Sequence, residues 1–188
     1  FAAVAVGPGR VCGLLDDGSL RCAGGEDTWE EEQHAPPPSV AFVDISLGTA
    51  HGCGRDDAGV VHCFGPASAE VIELPEELRT VSFSRVSAGN GFSCGLRGDN
   101  GTLACWGFNP RVGLCPAEEP CPGLLDPPAG AFVAVALGDI GNTLCALDEE
   151  GRATCWGEGA TDPPAERLRR TVAAEDIGVV AAELVVGV

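Results

Sequence analysis

Residues 85–107 read RVSAGNGFSCGLRGDNGTLACWG, which is one of four copies of a single pattern in this chain of 188 residues. Each copy is an apolar stretch that ends in glycine, followed by a cysteine, a turn that contains glycine, and a second cysteine. A repeat of this length predicts a stacked or radial array, in which each unit buries its apolar face only against its neighbours. The glycine that ends the apolar stretch recurs at spacings of 41, 41 and 49 residues, at Gly7, Gly48, Gly89 and Gly138.

The strand-like segments of each unit are short. The apolar stretch alternates in polarity or is rich in β-branched residues, which is typical of a β-strand. The Asp-, Glu- or Asn-Gly sequence between the cysteines predicts a tight hairpin turn. We therefore expect three or four short strands per unit and no long helix, with the Pro- and Glu-rich connections forming a fourth strand or an exposed loop. Three of the four units end in an aromatic residue and glycine, at Phe64-Gly65, Trp106-Gly107 and Trp156-Gly157.

Ten cysteines occur as five close pairs, and four of these pairs recur with the repeat. In a hairpin, the members of a repeat pair lie opposite each other, where Cα atoms about 4.5 Å apart suit a disulfide. An even, regularly spaced set also indicates an oxidising compartment. Zinc is the alternative, but nine or ten residues separate the repeat pairs, whereas zinc pairs usually have about two to four. The predicted disulfides join Cys12 to Cys22, Cys53 to Cys63, Cys94 to Cys105, Cys115 to Cys121 and Cys145 to Cys155.

The chain carries 28 acidic residues against 11 basic ones, a formal net charge of −17. This charge opposes binding to nucleic-acid phosphates and to anionic lipid, so we expect no nucleic-acid partner and no direct membrane insertion of this segment. No apolar run approaches the ~18 residues that a membrane-spanning helix requires. Two roles remain open for the acidity, namely solubility and attraction to a basic partner.

The last residues predict part of a fifth unit. Residues 181–187 (AAELVVG) repeat the apolar stretch that opens the other units, and Gly187 follows Gly138 by 49 residues. This strand either completes a blade with N-terminal strands and closes a small ring, or begins a unit that other sequence or another chain completes. We favour the second interpretation.

The combination of a glycine, Cys-Gly-Leu (GNGFSCGL, residues 89–96) and a closing Trp106-Gly107 is specific. It resembles the β-propeller repeat of the regulator of chromosome condensation family. A disulfide in every hairpin resembles the extracellular relatives of that family, such as the ectodomains of plant CRINKLY-type receptor-like kinases, and is unlike its nuclear members.

The resemblance implies an all-β fold of β-propeller-type repeats, with four blades plus a partial fifth and one hairpin disulfide per blade. We expect a single repeat array over residues 1–188. The expected blades lie at about 1–40, 41–80, 81–130 and 131–170, with the partial fifth at 171–188.

The sequence predicts no catalytic, metal or cofactor site. Carboxylates such as Asp16 and Asp17 recur at the hairpin turns, where backbone geometry favours Asp and Asn, so a turn role outweighs paired catalytic carboxylates or calcium ligands. His51 is interpreted as a strand residue and not as the partner of a nucleophile. Trp106 and Trp156 recur in register, which favours packing between blades over ligand binding.

Two residues are candidate surface sites. Trp29 lies outside the repeat, in the acidic segment GGEDTWEEEQH (residues 24–34), and an exposed aromatic side chain there is a candidate partner contact. The alternative is a loop residue folded back on its own blade. Asn100 begins Asn-Gly-Thr, an N-glycosylation acceptor sequence at a predicted hairpin tip.

These features together predict a non-enzymatic module at the cell surface or outside the cell, which recognises a protein or peptide as part of a receptor-like ectodomain and needs no cofactor. The alternative is a structural subunit of a cell-surface or filamentous assembly, in which another copy or subunit completes the blades.

Overall fold

The computed structural model describes residues 1–24, 35–108, 123–138 and 143–157. Within these ranges the chain forms four antiparallel, three-stranded sheets, and strands that follow each other in sequence are neighbours in the sheet. Each sheet is one blade. Blade 1 comprises β1 (Ala3–Gly7), β2 (Arg10–Leu14) and β3 (Leu20–Gly24); blade 2, β4 (Phe42–Leu47), β5 (Gly52–Asp56) and β6 (Val61–Phe64); blade 3, β7 (Phe83–Ala88), β8 (Phe92–Arg97) and β9 (Leu103–Gly107); and blade 4, β10 (Ala134–Leu137), β11 (Thr143–Leu147) and β12 (Ala153–Gly157).

The turn between the second and third strands has one geometry in every blade. In blade 1 the Leu15 N–H donates to the Ser19 carbonyl (2.9 Å), and the Gly18 N–H donates to the Leu15 carbonyl (3.0 Å). The equivalent bonds form in the other three blades, with one extra residue in blade 3. Because this turn fixes the register, the two cysteines of each hairpin are directly paired, with Cα–Cα distances of 4.0–4.1 Å. The predicted all-β repeat with one hairpin disulfide per blade is confirmed.

Each blade has a cystine face, which bears the disulfide, and an aromatic face. The cystine face of each blade packs against the aromatic face of the next in a buried cluster at each junction. In the cluster between blades 2 and 3, for example, Cys53 lies with Trp106 and Val86. The core is therefore the set of blade junctions, as the repeat predicts. The residue after the second cysteine marks the aromatic face and is Phe64, Trp106 or Trp156 in blades 2 to 4 and Ala23 in blade 1.

A phenylalanine at the start of each unit ties neighbouring blades together. Its ring in blades 2 and 3 occupies the space beside Gly54 and Gly95, which explains why glycine follows the first cysteine there. Its backbone N–H donates to the carbonyl of the turn glycine in the preceding blade, and we call this bond the blade clasp. The clasps run from Phe42 to Gly18 (2.8 Å), from Phe83 to Gly59 (2.9 Å) and from Phe132 to Gly101 (2.9 Å).

The connection between blades 2 and 3 differs from the prediction. It forms a short helix α1 (Ala69–Ile72) and a 3₁₀ turn (Glu76–Leu78), where we expected a fourth strand or an exposed loop. Val71 and Leu78 lie in these two helical segments and Leu74 lies between them, and all three are buried. Leu74 and Leu78 belong to the buried cluster at the junction between blades 2 and 3, so this connection is part of the core.

Three predictions fall outside the described residues. They concern the partner contact at Trp29, the pairing of Cys115 with Cys121 and the fifth unit at 171–188.

Replacing Gly59 with alanine is expected to destabilise the protein by about 2–4 kcal/mol. Gly59 has a φ of 85°, which costs a residue with a Cβ roughly 1–2 kcal/mol. A Cβ would also lie 3.0 Å from the carbonyl oxygen and 3.1 Å from the nitrogen of Phe83, and the next blade would have to shift. The control is Gly9→Ala, because Gly9 has a similar φ of 72° but no neighbour within 4 Å. The free energy of unfolding of both variants is measured by chemical denaturation. Equal losses of stability for Gly59→Ala and Gly9→Ala would contradict a role for the clasp.

Candidate functional site

The hairpin turns of all four blades form one candidate surface. Blade clasps hold the turns of blades 1 to 3 against the start of the next unit, so these turns project at the same end of the array. Their carboxylates are exposed to solvent, as the turn interpretation requires. We call this set the acidic rim: Asp16, Asp17, Asp57, Asp99, Glu149 and Glu150.

Asp17 and Asn100 occupy equivalent places in their turns. The Ser19 N–H and hydroxyl donate to Asp17 Oδ1 at 2.9 and 2.7 Å, which holds the pKa of Asp17 below its ordinary value. In blade 3 the Thr102 N–H and hydroxyl donate to Asn100 Oδ1 at 3.0 and 2.8 Å. Asp or Asn is therefore used here to close the turn. The exposed position expected for Asn100 agrees with the structure.

A histidine and a serine form a sealed pair at the junction between blades 2 and 3. His51 lies just before β5, not within a strand as predicted, and both His51 and Ser93 have 0% exposure. His51 Nε2 and Ser93 Oγ are 2.7 Å apart, and Ser93 Oγ is 3.3 Å from Cys53 Sγ. His51 Nδ1 is buried and has no hydrogen-bond partner among the described residues. A buried ring nitrogen without a proton is less unfavourable than a buried N–H without an acceptor. The proton therefore lies on Nε2, which donates it in a hydrogen bond to Ser93 Oγ.

Burial alone lowers the pKa of His51 to about 4, since protonation would place an unpaired charge in the junction. Because the pKa of His51 is lowered on folding, neutral His51 makes its full contribution to the free energy of unfolding above pH 6.5, the ordinary pKa of histidine. This contribution is lost as the pH falls towards 4, the pKa in the folded protein. We expect a loss of about 3 kcal/mol over that interval. Asp44, whose pKa burial raises, acts in the opposite direction, so a variant is needed to isolate the histidine.

The control for this pH dependence is His51→Gln, which retains a polar side chain but does not titrate. Its free energy of unfolding should change much less between pH 6.5 and 4 than that of the unmodified protein, as measured by urea titration at each pH. Parallel pH profiles for the two proteins would show that His51 is not the source.

A shallow groove lies between β6 and the helical connection. Its walls are Val61 and Cys63 on one side and Ile72 and Leu74 on the other. Near it, Asp56 Oδ2 and His62 Nε2 are 3.1 Å apart. Burial acts to raise the pKa of Asp56, but its hydrogen bonds with His62 and the Val60 N–H outweigh burial and lower it. His62, Glu73 and Arg79 also line the groove, so its surface is partly apolar and partly polar.

Sequence reasoning missed both the clasp and the His51–Ser93 pair. The clasp could have been predicted from the sequence, because a phenylalanine recurs at the same 41-, 41- and 49-residue spacings as the glycines, at Phe1, Phe42, Phe83 and Phe132. The buried pair left none, since His51 and Ser93 do not occupy equivalent positions in their units.

The fold and its junctions define a class: successive cystine-closed, three-stranded blades of the β-propeller type. Residues 83–111 match the family described as "Regulator of chromosome condensation (RCC1) repeat". No curated protein shows a significant match to the chain. No helix in the described part of the chain is long and apolar enough to cross a membrane.

Solved structures with this fold include two plant receptor-kinase ectodomains. The CRINKLY WD40 ectodomain of the Arabidopsis thaliana receptor kinase ACR4 is 24% identical, with a TM-score of 0.63 over 85% of this chain and 51% of that chain. The entire ectodomain of the Physcomitrella patens receptor kinase CR4 is 26% identical, with a TM-score of 0.64 over 87% and 41%. Yeast RCC1 (Prp20), solved with Kap60, is 16% identical, with a TM-score of 0.56 over 86% and 43%.

The chain thus spans about half the length of these structures. The resemblance to RCC1-type propeller repeats, with the cystine-bearing form similar to CRINKLY ectodomains, is confirmed.

Proposed function

We propose that this chain is a non-enzymatic recognition module outside the cell, which binds a protein or peptide as part of a receptor-like ectodomain. The observation that carries the proposal is the acidic rim, whose exposed side chains stand on hairpin turns closed by cystines, with backbone clasps holding the turns of blades 1 to 3. Rigid blades that present short loops suit recognition, because little conformational entropy is lost when a partner binds.

The disulfides support an extracellular location. Structural disulfides form and persist in oxidising compartments and are rare in the cytosol and nucleus. Four hairpins in the described ranges each carry one, and the first cysteine is buried in blades 1 to 3. The similarity to receptor ectodomains points the same way.

Charge indicates the chemistry of the partner. A net charge of −17 and a carboxylate rim attract basic segments and repel nucleic acid. The sealed Ser93–His51 pair supports a non-enzymatic role, because a substrate cannot reach a serine with 0% exposure.

Asn100 is proposed as a glycan site in a secreting eukaryotic host. Asn100→Asp should remove the glycan and keep the turn, because an aspartate oxygen can still accept the Thr102 N–H and hydroxyl. Mass spectrometry of the secreted protein should show a glycan mass on residues around 100 that is absent from the variant. An unmodified Asn100 in the secreted protein would refute this assignment.

The recognition proposal is tested by selecting a displayed random-peptide library against the immobilised protein. Selected peptides should be rich in Lys and Arg and should lose binding to a variant with Asp16, Asp57 and Asp99 changed to Lys. Asp17 is left intact because it holds its turn. A control of equal charge change replaces the exposed Glu70, Glu76 and Glu77 of the helical connection with Lys and should retain binding.

Failure to enrich peptides over a blank surface, or equal losses for the two variants, would contradict recognition by the rim. Trp29 stays a predicted partner contact, and Trp29→Ala in the same assay tests it.

A further inference from the structure

The chain contains two Asn-Gly sequences, and both lie in blade 3, at Asn90-Gly91 and Asn100-Gly101. An asparagine followed by glycine can lose ammonia spontaneously, because glycine has no Cβ to keep its backbone nitrogen away from the asparagine side chain. Both asparagines are exposed, and both glycines have left-handed backbone, with φ of 79° and 66°. The two sites therefore have the same sequence and the same exposure class, so a difference in reactivity must come from their local hydrogen bonds.

The site at Asn100 is held on both sides of the bond that would have to form. Asn100 Oδ1 accepts hydrogen bonds from the Thr102 N–H at 3.0 Å and from the Thr102 hydroxyl at 2.8 Å. The Gly101 N–H donates to the Arg97 carbonyl at 3.0 Å. These three hydrogen bonds must break before the Gly101 nitrogen can attack Asn100 Cγ.

The site at Asn90 forms the tip of the turn between β7 and β8. The Gly89 N–H donates to the Phe92 carbonyl at 2.9 Å and closes the turn around Asn90 and Gly91. The Gly91 carbonyl accepts a hydrogen bond from the Phe108 N–H at 2.8 Å, which leaves the Gly91 nitrogen unused. Among the described residues, neither the Asn90 side chain nor the Gly91 N–H has a hydrogen-bond partner. The two reacting groups can therefore meet here without the loss of a hydrogen bond.

We propose that Asn90 is a site of spontaneous deamidation and that the fold protects Asn100 from the same reaction. The Gly91 nitrogen attacks Asn90 Cγ and gives its proton to water. As this C–N bond forms, the Cγ–Nδ2 bond breaks, ammonia leaves and a cyclic succinimide results. Water then opens the ring at either carbonyl, which yields aspartate or isoaspartate. Water is the only co-reactant, and nothing is oxidised or reduced.

The modified turn lies at the end of blade 3 opposite the acidic rim. β7 begins beside the clasped turn of blade 2, where the Phe83 N–H donates to the Gly59 carbonyl, and it runs away from that turn towards Gly89. Both products add a negative charge to this far turn, and isoaspartate also lengthens its main chain. The turn contacts blade 2 through the Thr49 N–H, which lies 3.3 Å from the Gly89 carbonyl. Deamidation is thus an age-dependent change at this contact, and it leaves the rim carboxylates as they are.

The test is to incubate the folded, oxidised full chain at mildly alkaline pH and to follow both sites over time by peptide mass spectrometry. The chain is made in a host without N-glycosylation, so that Asn100 keeps a free amide. We expect Asn90 to be converted about a hundredfold faster than Asn100, because three hydrogen bonds must break at Asn100. In the reduced chain unfolded in urea, the two sites should react at similar rates.

Two variants check the assignment. Asn90→Gln keeps an amide but disfavours ring closure, so it should abolish the fast reaction and leave Asn100 unchanged. Thr102→Val removes the hydroxyl that donates to Asn100 Oδ1 and should speed the conversion of Asn100 by about fivefold.

Equal rates at the two asparagines in the folded chain would overturn the proposal. So would a folded Asn90 that stays intact while the unfolded chain reacts at both sites. An unchanged rate at Asn100 in the Thr102→Val variant would contradict protection by these hydrogen bonds. None of these outcomes bears on peptide binding by the acidic rim.

Discussion

Replacing Trp106 with alanine is expected to lower the free energy of unfolding by about 3–5 kcal/mol, the range found when a fully buried large aromatic side chain is removed. Trp106 is 1% exposed and lies at the junction between blades 2 and 3, with Cys53 among its cluster neighbours. Its ring centroid is 5.9 Å from that of Phe83. The loss should exceed that of a change within one blade, because the cavity would open between two blades.

Two comparisons separate packing from hydrogen bonding at this position. Trp106 Nε1 has no hydrogen-bond partner among the described residues, whereas Trp156 Nε1 donates to the Leu124 carbonyl at 3.1 Å. Trp106→Phe should therefore cost less than Trp156→Phe, which leaves a buried carbonyl unpaired. Phe108→Ala is the surface control, because Phe108 is 54% exposed and should change stability by less than about 1 kcal/mol. Denaturant titration measures all four, and a loss at Phe108 equal to that at Trp106 would contradict the junction core.

Removing the Cys53–Cys63 disulfide by a double change to alanine is expected to cost about 3–5 kcal/mol. Freeing a loop with a sequence separation of 10 residues accounts for roughly 3 kcal/mol in the chain-entropy model. The remainder comes from packing, because Cys53 has 0% exposure and its Sγ lies 3.3 Å from Ser93 Oγ. The loss of sulfur there leaves a void against the aromatic face of blade 3.

The matched control is the Cys145–Cys155 disulfide of blade 4, which has the same sequence separation of 10. The chain-entropy contribution is therefore equal, but Cys145 is only partly buried. The double alanine variant in blade 4 should lose less stability than the one in blade 2 under the same denaturant titration. A larger loss of stability from the blade 4 variant would mean that packing at the blade junctions does not determine how much each disulfide stabilises the protein.

The repeat made the blades predictable because each strand, turn and cysteine recurs at a fixed offset from a glycine. The hairpin symmetry of Cys12 and Cys22 about one turn was sufficient to predict their pairing, since register follows from turn geometry. The partners across each junction were not predictable in the same way. His51 and Ser93 meet only because two blades are stacked, and no local pattern records that contact.

The connection between blades 2 and 3 shows a second limit. Its Pro- and Glu-rich composition predicted a fourth strand or an exposed loop, but the structure forms two short helical turns in which Val71 and Leu78 are buried. Burial of these side chains depends on the neighbouring blades, which the composition of the connection does not describe. The sequence placed the carboxylates of the acidic rim in hairpin turns. It did not show that these turns project at the same end of the array, because that arrangement depends on the blade clasps.

The most direct test of the central claim, that each repeat is a cystine-closed blade, is disulfide mapping of the purified, unreduced protein by proteolysis and mass spectrometry. We expect linked peptides that join Cys12 to Cys22, Cys53 to Cys63, Cys94 to Cys105 and Cys145 to Cys155, with essentially no free thiol at these eight positions. Reactive thiols at these positions in the unfolded, unreduced protein, or bridges between different hairpins, would contradict the account.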